Sequence, residues 1–195
     1  MWDMVMFMLF STLEVYAAFV LMMAIFRMNA LEYIWQSFII ALLMGIQSYF
    51  LREVDLGYIA TLINLLCYVL LLTTVVKVSL IWSAIVACIG FFLYGTIQAV
   101  LFTTIRGELL QIVTSVLIMA LSYVLYRFGI GFALDFDKLR FKGERIIVIT
   151  VIILSFILMT ISLYQHQVWI NILFFAVASG LFLYYAIQKE REDFL

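Results

Sequence analysis

The 195 residues would suffice for one ordinary domain, but 68% of them are hydrophobic and only 12% are charged. Soluble domains run at about 45–50% apolar and about 25% charged, so this chain has too little polar surface to face water and is expected to be an integral membrane protein. A formal charge of −1 with 17% aromatic residues argues against a disordered chain and against a nucleic-acid partner.

A bilayer core of about 30 Å takes about 20 apolar residues per helix. Seven segments of that kind lie near 4–26, 33–51, 56–76, 78–105, 109–126, 146–165 and 168–187. The first has no basic stretch before it and opens with Asp3, so it is expected to stay in the protein as a span. Between the third and fourth, Lys77 alone parts two runs that together are too long for one helix, which predicts a tight turn at 76–79; six spans is the alternative count. The chain contains no proline, so straight helices are expected. Seven spans leave room for one long connection, 127–145, and a tail, 188–195. The predicted fold is thus an all-α polytopic bundle forming a single transmembrane domain over 1–195.

Orientation follows from where lysine and arginine fall. With the N-terminus outside, nine of them are inside: Arg27, Lys77, Arg127, Lys138, Arg140, Lys142, Arg145, Lys189 and Arg191. Only Arg52 and Arg106 are then outside. Basic residues collect on the cytoplasmic side, so this split predicts N-out and C-in.

The long connection, GIGFALDFDKLRFKGE from Gly129 to Glu144, alternates apolar and charged residues. That pattern suits a segment hugging the membrane surface or docking a cytoplasmic partner through Asp137, Lys138, Arg140 and Lys142. The last span keeps its helical pattern through Lys189 and Arg191 to Leu195, so this tail is a second candidate docking element.

Ionisable groups inside spans are costly enough to mark function, and Glu14 stands about 15 Å into the first one. It reads either as an acceptor or counter-charge for a ligand or as a neutral carboxyl bonded to a neighbouring helix. Gln36, Gln47, Asn64, Gln98, Gln111 and Asn171 are the other polar residues in spans, suited to interhelical hydrogen bonds. On the outer side the short connections gather Arg52, Glu53 and Asp55, then Arg106 and Glu108, then His166 and Trp169. With Glu14 these are the candidate ligand-binding residues, able to line the mouth of a cavity for a peptide or lipid-like ligand; the alternative is that they are solvated loop charges. Ala41-x-x-x-Gly45, Ser83-x-x-x-Ala87 and Ala176-x-x-x-Gly180 are candidate helix-packing motifs.

No catalytic constellation appears. Cys67 and Cys88 lie singly in apolar runs without CxxC spacing, and His166 is the only histidine. No zinc-protease, nucleophile-elbow, P-loop or paired-aspartate motif is present, so neither catalysis, a metal nor a cofactor is expected.

Seven short-looped spans, the helical extension from Tyr184 to Leu195, and the stretch LLLTTVVKVSLIWSAIVACIGFFLY from Leu70 to Tyr94 together resemble the N-terminal sensor region of Firmicute peptide-receptor histidine kinases of the accessory-gene-regulator type. The resemblance implies a receptor in a bacterial plasma membrane that binds a peptide or amphipathic ligand and signals to a cytoplasmic partner. Those kinases continue into phosphoacceptor and ATP-binding domains, which these residues do not contain, so autophosphorylation is not implied for them. Two other functions fit the composition. One is the substrate-binding subunit of an energy-coupling transporter, although Ala17-Ala18 and Ala24 match its first-helix motif poorly. The other is a non-catalytic membrane partner or immunity subunit, acting in a complex or as a homodimer.

Overall fold

In a computed structural model, residues 2–105, 107–133, 142–165 and 167–193 are described, and among them the regular structure is helical throughout. The helices are α1 (Trp2–Ile25), α2 (Ile34–Glu53), α3 (Gly57–Thr74), α4 (Leu80–Leu101), α5 (Glu108–Phe128), α6 (Lys142–Tyr164) and α7 (Val168–Asp193), with a 3-10 turn at Ala30–Tyr33. All seven are long and apolar enough to cross a membrane. The protein is a multi-pass helical membrane bundle.

Each helix occupies one of the apolar runs, because a spanning segment has to satisfy its own backbone hydrogen bonds and nothing in these runs interrupts the ladder. The run around Lys77 breaks into two helices, ending at Thr74 and resuming at Leu80. α4 is shorter than its apolar run: it stops at Leu101, and turn hydrogen bonds from the amides of Thr103, Thr104 and Ile105 close its end. α7 runs four residues past Lys189, so the helical extension continues to Asp193. The near-alternating stretch from 134 to 141 lies outside the described residues.

Helix ends close in a recurrent way. After α1 the amide of Met28 donates to Met23 O (2.8 Å), and after α2 the amide of Leu56 donates to Leu51 O (2.8 Å). After α5 the amide of Ile130 does the same to Leu125 O (2.9 Å). This six-to-one bond requires a left-handed residue just past the helix. The positions concerned are Arg27 (φ 51°), Asp55 (φ 59°) and Gly129 (φ 62°), and only the last is a residue that adopts this conformation without steric cost.

α4 sits at the centre, packed against α1, α3, α5, α6 and α7, while α1 packs against α2, α4 and α5. Among the described residues the two most enclosed stretches are Ala17–Phe26, at and just past the end of α1, in which only Val20 is not fully buried, and Trp82–Gly90 of α4. α6 is peripheral and presents Ile146, Ile153, Ile157 and Ile161 outward, as a lipid-facing surface does. Of the small-residue motifs, Ala41 and Gly45 are buried, and a Cβ on Gly45 would lie 3.2 Å from Thr12 Oγ1, so this motif brings α2 against α1. Ser83 and Ala87 are buried as well. Ala176 and Gly180 instead face outward, with open space around Gly180, so that motif does not pack within the bundle.

Candidate functional site

At the end of the bundle formed by the start of α1 and the end of α2, the helices part around a cavity of about 660 Å³. All seven contribute lining residues. The cavity begins at the helix ends marked by Arg52, Phe102 and Gly107 and reaches Tyr68, eleven residues into α3. At a rise of 1.5 Å per residue that is about 16 Å, half the thickness of a bilayer core.

Glu14 lines this space. Nε2 of Gln98 on α4 donates a hydrogen bond to its Oε1 over 2.7 Å, and no other hydrogen bond to the carboxyl occurs among the described residues. Below it, the hydroxyl of Tyr68 donates to the main-chain oxygen of Val15 over 2.8 Å. Tyr68 is only 2% exposed. Asn64 donates to Ser48 Oγ over 3.0 Å, tying α3 to α2 on the cavity wall. On the opposite wall Ser162 Oγ donates to Asn171 Oδ1 over 2.6 Å, tying α6 to α7. Gln111 also faces the cavity. Phe91, Tyr94, Phe102 and Phe175 supply apolar surface between these polar groups. Gly95 lets α7 approach α4 closely here, since a Cβ there would come within 3.2 Å of the Phe175 ring.

Arg52 is exposed at the mouth, with its guanidinium carbon 5.4 Å from the centre of the Phe7 ring. This stacking holds a weakly hydrated cation over an aromatic face, an attractive arrangement for guanidinium. Phe7 in turn meets Tyr49 at 5.5 Å.

Of the ligand-binding candidates drawn from sequence, Glu14 and Arg52 are brought together on one cavity. Glu53 and Asp55 are exposed and do not line it. Trp169 is 77% exposed and faces away from it, as an interfacial anchor would. Arg106 and His166, and the side chain of Glu108, lie outside the described residues. So do Asp137, Lys138 and Arg140 and the side chain of Lys142, among the docking candidates. Lys189 is only 2% exposed and so is not a free docking charge, whereas Arg191 is exposed on the last turn of α7.

Three of the amides make the expected side-chain hydrogen bonds: Asn64, Gln98 and Asn171. Gln36 points outward, and the amide of Gln47 is buried with neither atom hydrogen-bonded. Tyr68, Tyr94, Phe91, Phe175 and Gly95 were not distinguishable in the sequence as cavity residues, because aromatic residues are abundant in every span.

At the opposite end the connection after α5 is pinned to two helices. The amide of Phe132 donates to Ile25 O (2.8 Å) and that of Ala133 to Glu190 Oε1 (3.1 Å). The Phe132 ring packs on Phe26 at 5.6 Å. The ends of α1 and α7 are thereby tied through one short segment.

The cavity offers a carboxyl, amides, hydroxyls and aromatic faces, a set suited to holding a ligand. Cys67 and Cys88 are free thiols, and among the described residues no group of three His, Cys, Asp or Glu could hold a metal ion. No family model matches the chain, and no curated protein or solved structure matches it either.

Proposed function

We propose that the protein is a non-catalytic membrane receptor that admits a peptide or amphipathic ligand to this cavity from the outer side of a bacterial plasma membrane and signals to a cytoplasmic partner. The observation that carries the reading is the cavity of about 660 Å³ with Glu14 inside it. That volume falls among those of small-molecule sites, roughly 300–1,000 Å³, and an in-span carboxyl beside open space is an expensive feature for a purely structural bundle. The nine-to-two split of basic residues supports placing the cavity outside. The link between the ends of α1 and α7 supports a route for signalling, since α1 carries Glu14 and α7 carries Asn171 and Phe175 into the cavity.

Cysteine protection tests the reading. In a variant with Cys67 and Cys88 replaced by serine, a single cysteine at Gln111 should react with a small maleimide in the purified protein, and amphipathic compounds that enter the cavity should slow that reaction. A cysteine at the exposed Leu109 should be unaffected. If no compound protects position 111, the receptor reading fails. Orientation is tested in intact cells, where a membrane-impermeant maleimide should reach a cysteine at Glu53 and not one at Lys138.

A further inference from the structure

The charged groups of the cavity differ in sign and stand at different depths. Glu14 has one hydrogen-bond partner, Gln98, on one of its two oxygens. A carboxylate accepts at several positions, and inside a span water is scarce, so an ionised Glu14 calls for a cation or further donors. Among the described residues, the nearest basic side chain on the cavity wall is Arg52 at the mouth. Arg52 is followed by Glu53 and Asp55, yet it forms no ion pair with either among the described residues. Its guanidinium instead lies over Phe7, on the cavity side.

Phe7 and Glu14 are on the same helix, seven residues apart, so about 10 Å of helix axis lies between Glu14 and the residue beneath the Arg52 guanidinium. Among the described residues Glu14 is bonded to Gln98 and Arg52 lies over Phe7, so the two are not in contact with each other. The lining mixes hydroxyls and amides, among them Ser11, Ser48, Asn64 and Gln98, with aromatic faces. The site is therefore a dipole, negative at depth and positive at the mouth.

We propose that this cavity binds a zwitterion, with an ammonium group on Glu14 and a carboxylate on Arg52. The inference rests on the receptor reading and assigns the chemistry of its ligand. An extended chain advances about 3.3–3.6 Å per residue and each charged contact takes up about 3 Å, so a peptide of two or three residues with free ends suits the site. The ammonium completes the coordination of Glu14 and is flanked by Tyr94 and Phe91, whose ring faces attract cations. Arg52 receives the carboxylate through two parallel N–H donors, the geometry guanidinium favours. Apolar side chains of the ligand occupy the space bounded by Phe102 and Phe175. The opposite polarity, with the carboxylate inward, would set two anions side by side.

Trileucine, its N-acetylated form and its C-amidated form serve as probes for the full chain in lipid nanodiscs, with binding read by calorimetry. The free-ended peptide should bind, and blocking either end should weaken binding about tenfold. In Glu14→Gln the acetylated peptide should bind as well as the free one, while amidation still weakens binding. In Arg52→Gln the pattern should reverse. Because the blocked peptides test wild-type protein, the outcome does not depend on either variant folding. Equal binding of all three peptides to wild-type protein would overturn the proposal and leave the receptor reading intact. So would failure of all three while a neutral amphiphile still protects a cysteine at Gln111. Failure of all three with no protection by any compound would overturn both.

Discussion

The two halves of the bundle, called outer where it holds the cavity and inner where it does not, are built from the same helices and differ in how those helices meet. In the inner half, α1 and α4 approach so closely that a Cβ on Gly90 would lie 2.2 Å from Met22 Cγ and 3.2 Å from Met22 Cα. α7 closes over them, with Phe92 packed between Phe174, Phe175 and Phe182 at ring separations of 5.6, 6.0 and 5.9 Å. In the outer half, the same α1 and α4 are joined across a gap by Glu14 and Gln98. Without water to drive helices together, association in a bilayer depends on close packing and on interhelical hydrogen bonds. The inner half uses the first and the outer half the second. The lesson is that a cavity in a membrane bundle is kept open by polar bridges and kept from spreading by a tight layer beneath it.

The largest expected effect falls on that layer. Phe92 is fully buried, and truncating a buried phenylalanine to alanine costs roughly 3–5 kcal/mol in soluble proteins. Here the lower figure, about 3 kcal/mol, applies, because the unfolded reference is surrounded by lipid and not by water. Phe92→Ala should therefore lower the thermal midpoint in detergent strongly, and an unchanged midpoint would show that α7 is not held by this contact. A comparable loss is not expected from Leu43→Ala, which changes a residue 58% exposed on the outside of α2.

The next largest concerns glycine. Gly90→Ala forces α1 and α4 apart, since Met22 meets the added methyl with its backbone as well as its side chain. Overpacking of this kind costs typically about 1–3 kcal/mol. Gly180→Ala, with nothing within 4 Å of the new Cβ, should be neutral or stabilise by about 0.5–1 kcal/mol through helix propensity. Thermal unfolding of the pair separates a packing role from mere composition. If the two variants behave alike, the inner half is looser than its geometry implies.

Those two glycines also show where the sequence informs and where it does not. The number and position of the helices could be read from it because spanning is a local property of length and hydropathy, and the break at Lys77 followed from the same arithmetic. Partner choice is not local. Ala41-x-x-x-Gly45 and Ala176-x-x-x-Gly180 look alike in the chain, yet the first packs α2 on α1 and the second faces outward. Glu14 stood out because a carboxyl in an apolar run is rare, but its partner is 84 positions away and was one of six amides of equal standing. Arg52 was grouped with Glu53 and Asp55 by their shared loop. Arg52 and Glu53 differ by their direction on the last turn of α2, and Asp55 lies past its end with φ 59°, so one side chain lines the cavity and two do not.

The smallest expected effect tests the bridges of the outer half. Asn64 and Ser48 connect α3 to α2 through a 3.0 Å hydrogen bond on the cavity wall. Interhelical hydrogen bonds in membranes average about 0.6 kcal/mol, because the separated helices find other partners. Asn64→Ala and Ser48→Ala should each lower stability by about that amount, and the double variant should lose little more than either alone, since both remove the same bond. Their effect on the cavity should exceed their effect on stability. With the bridge gone, the outer ends of α2 and α3 can separate, and α2 carries Arg52 at the mouth. A cysteine at Gln111 should then react faster with maleimide while the thermal midpoint barely moves. If labelling at position 111 is unchanged, the inner layer alone sets the width of the opening.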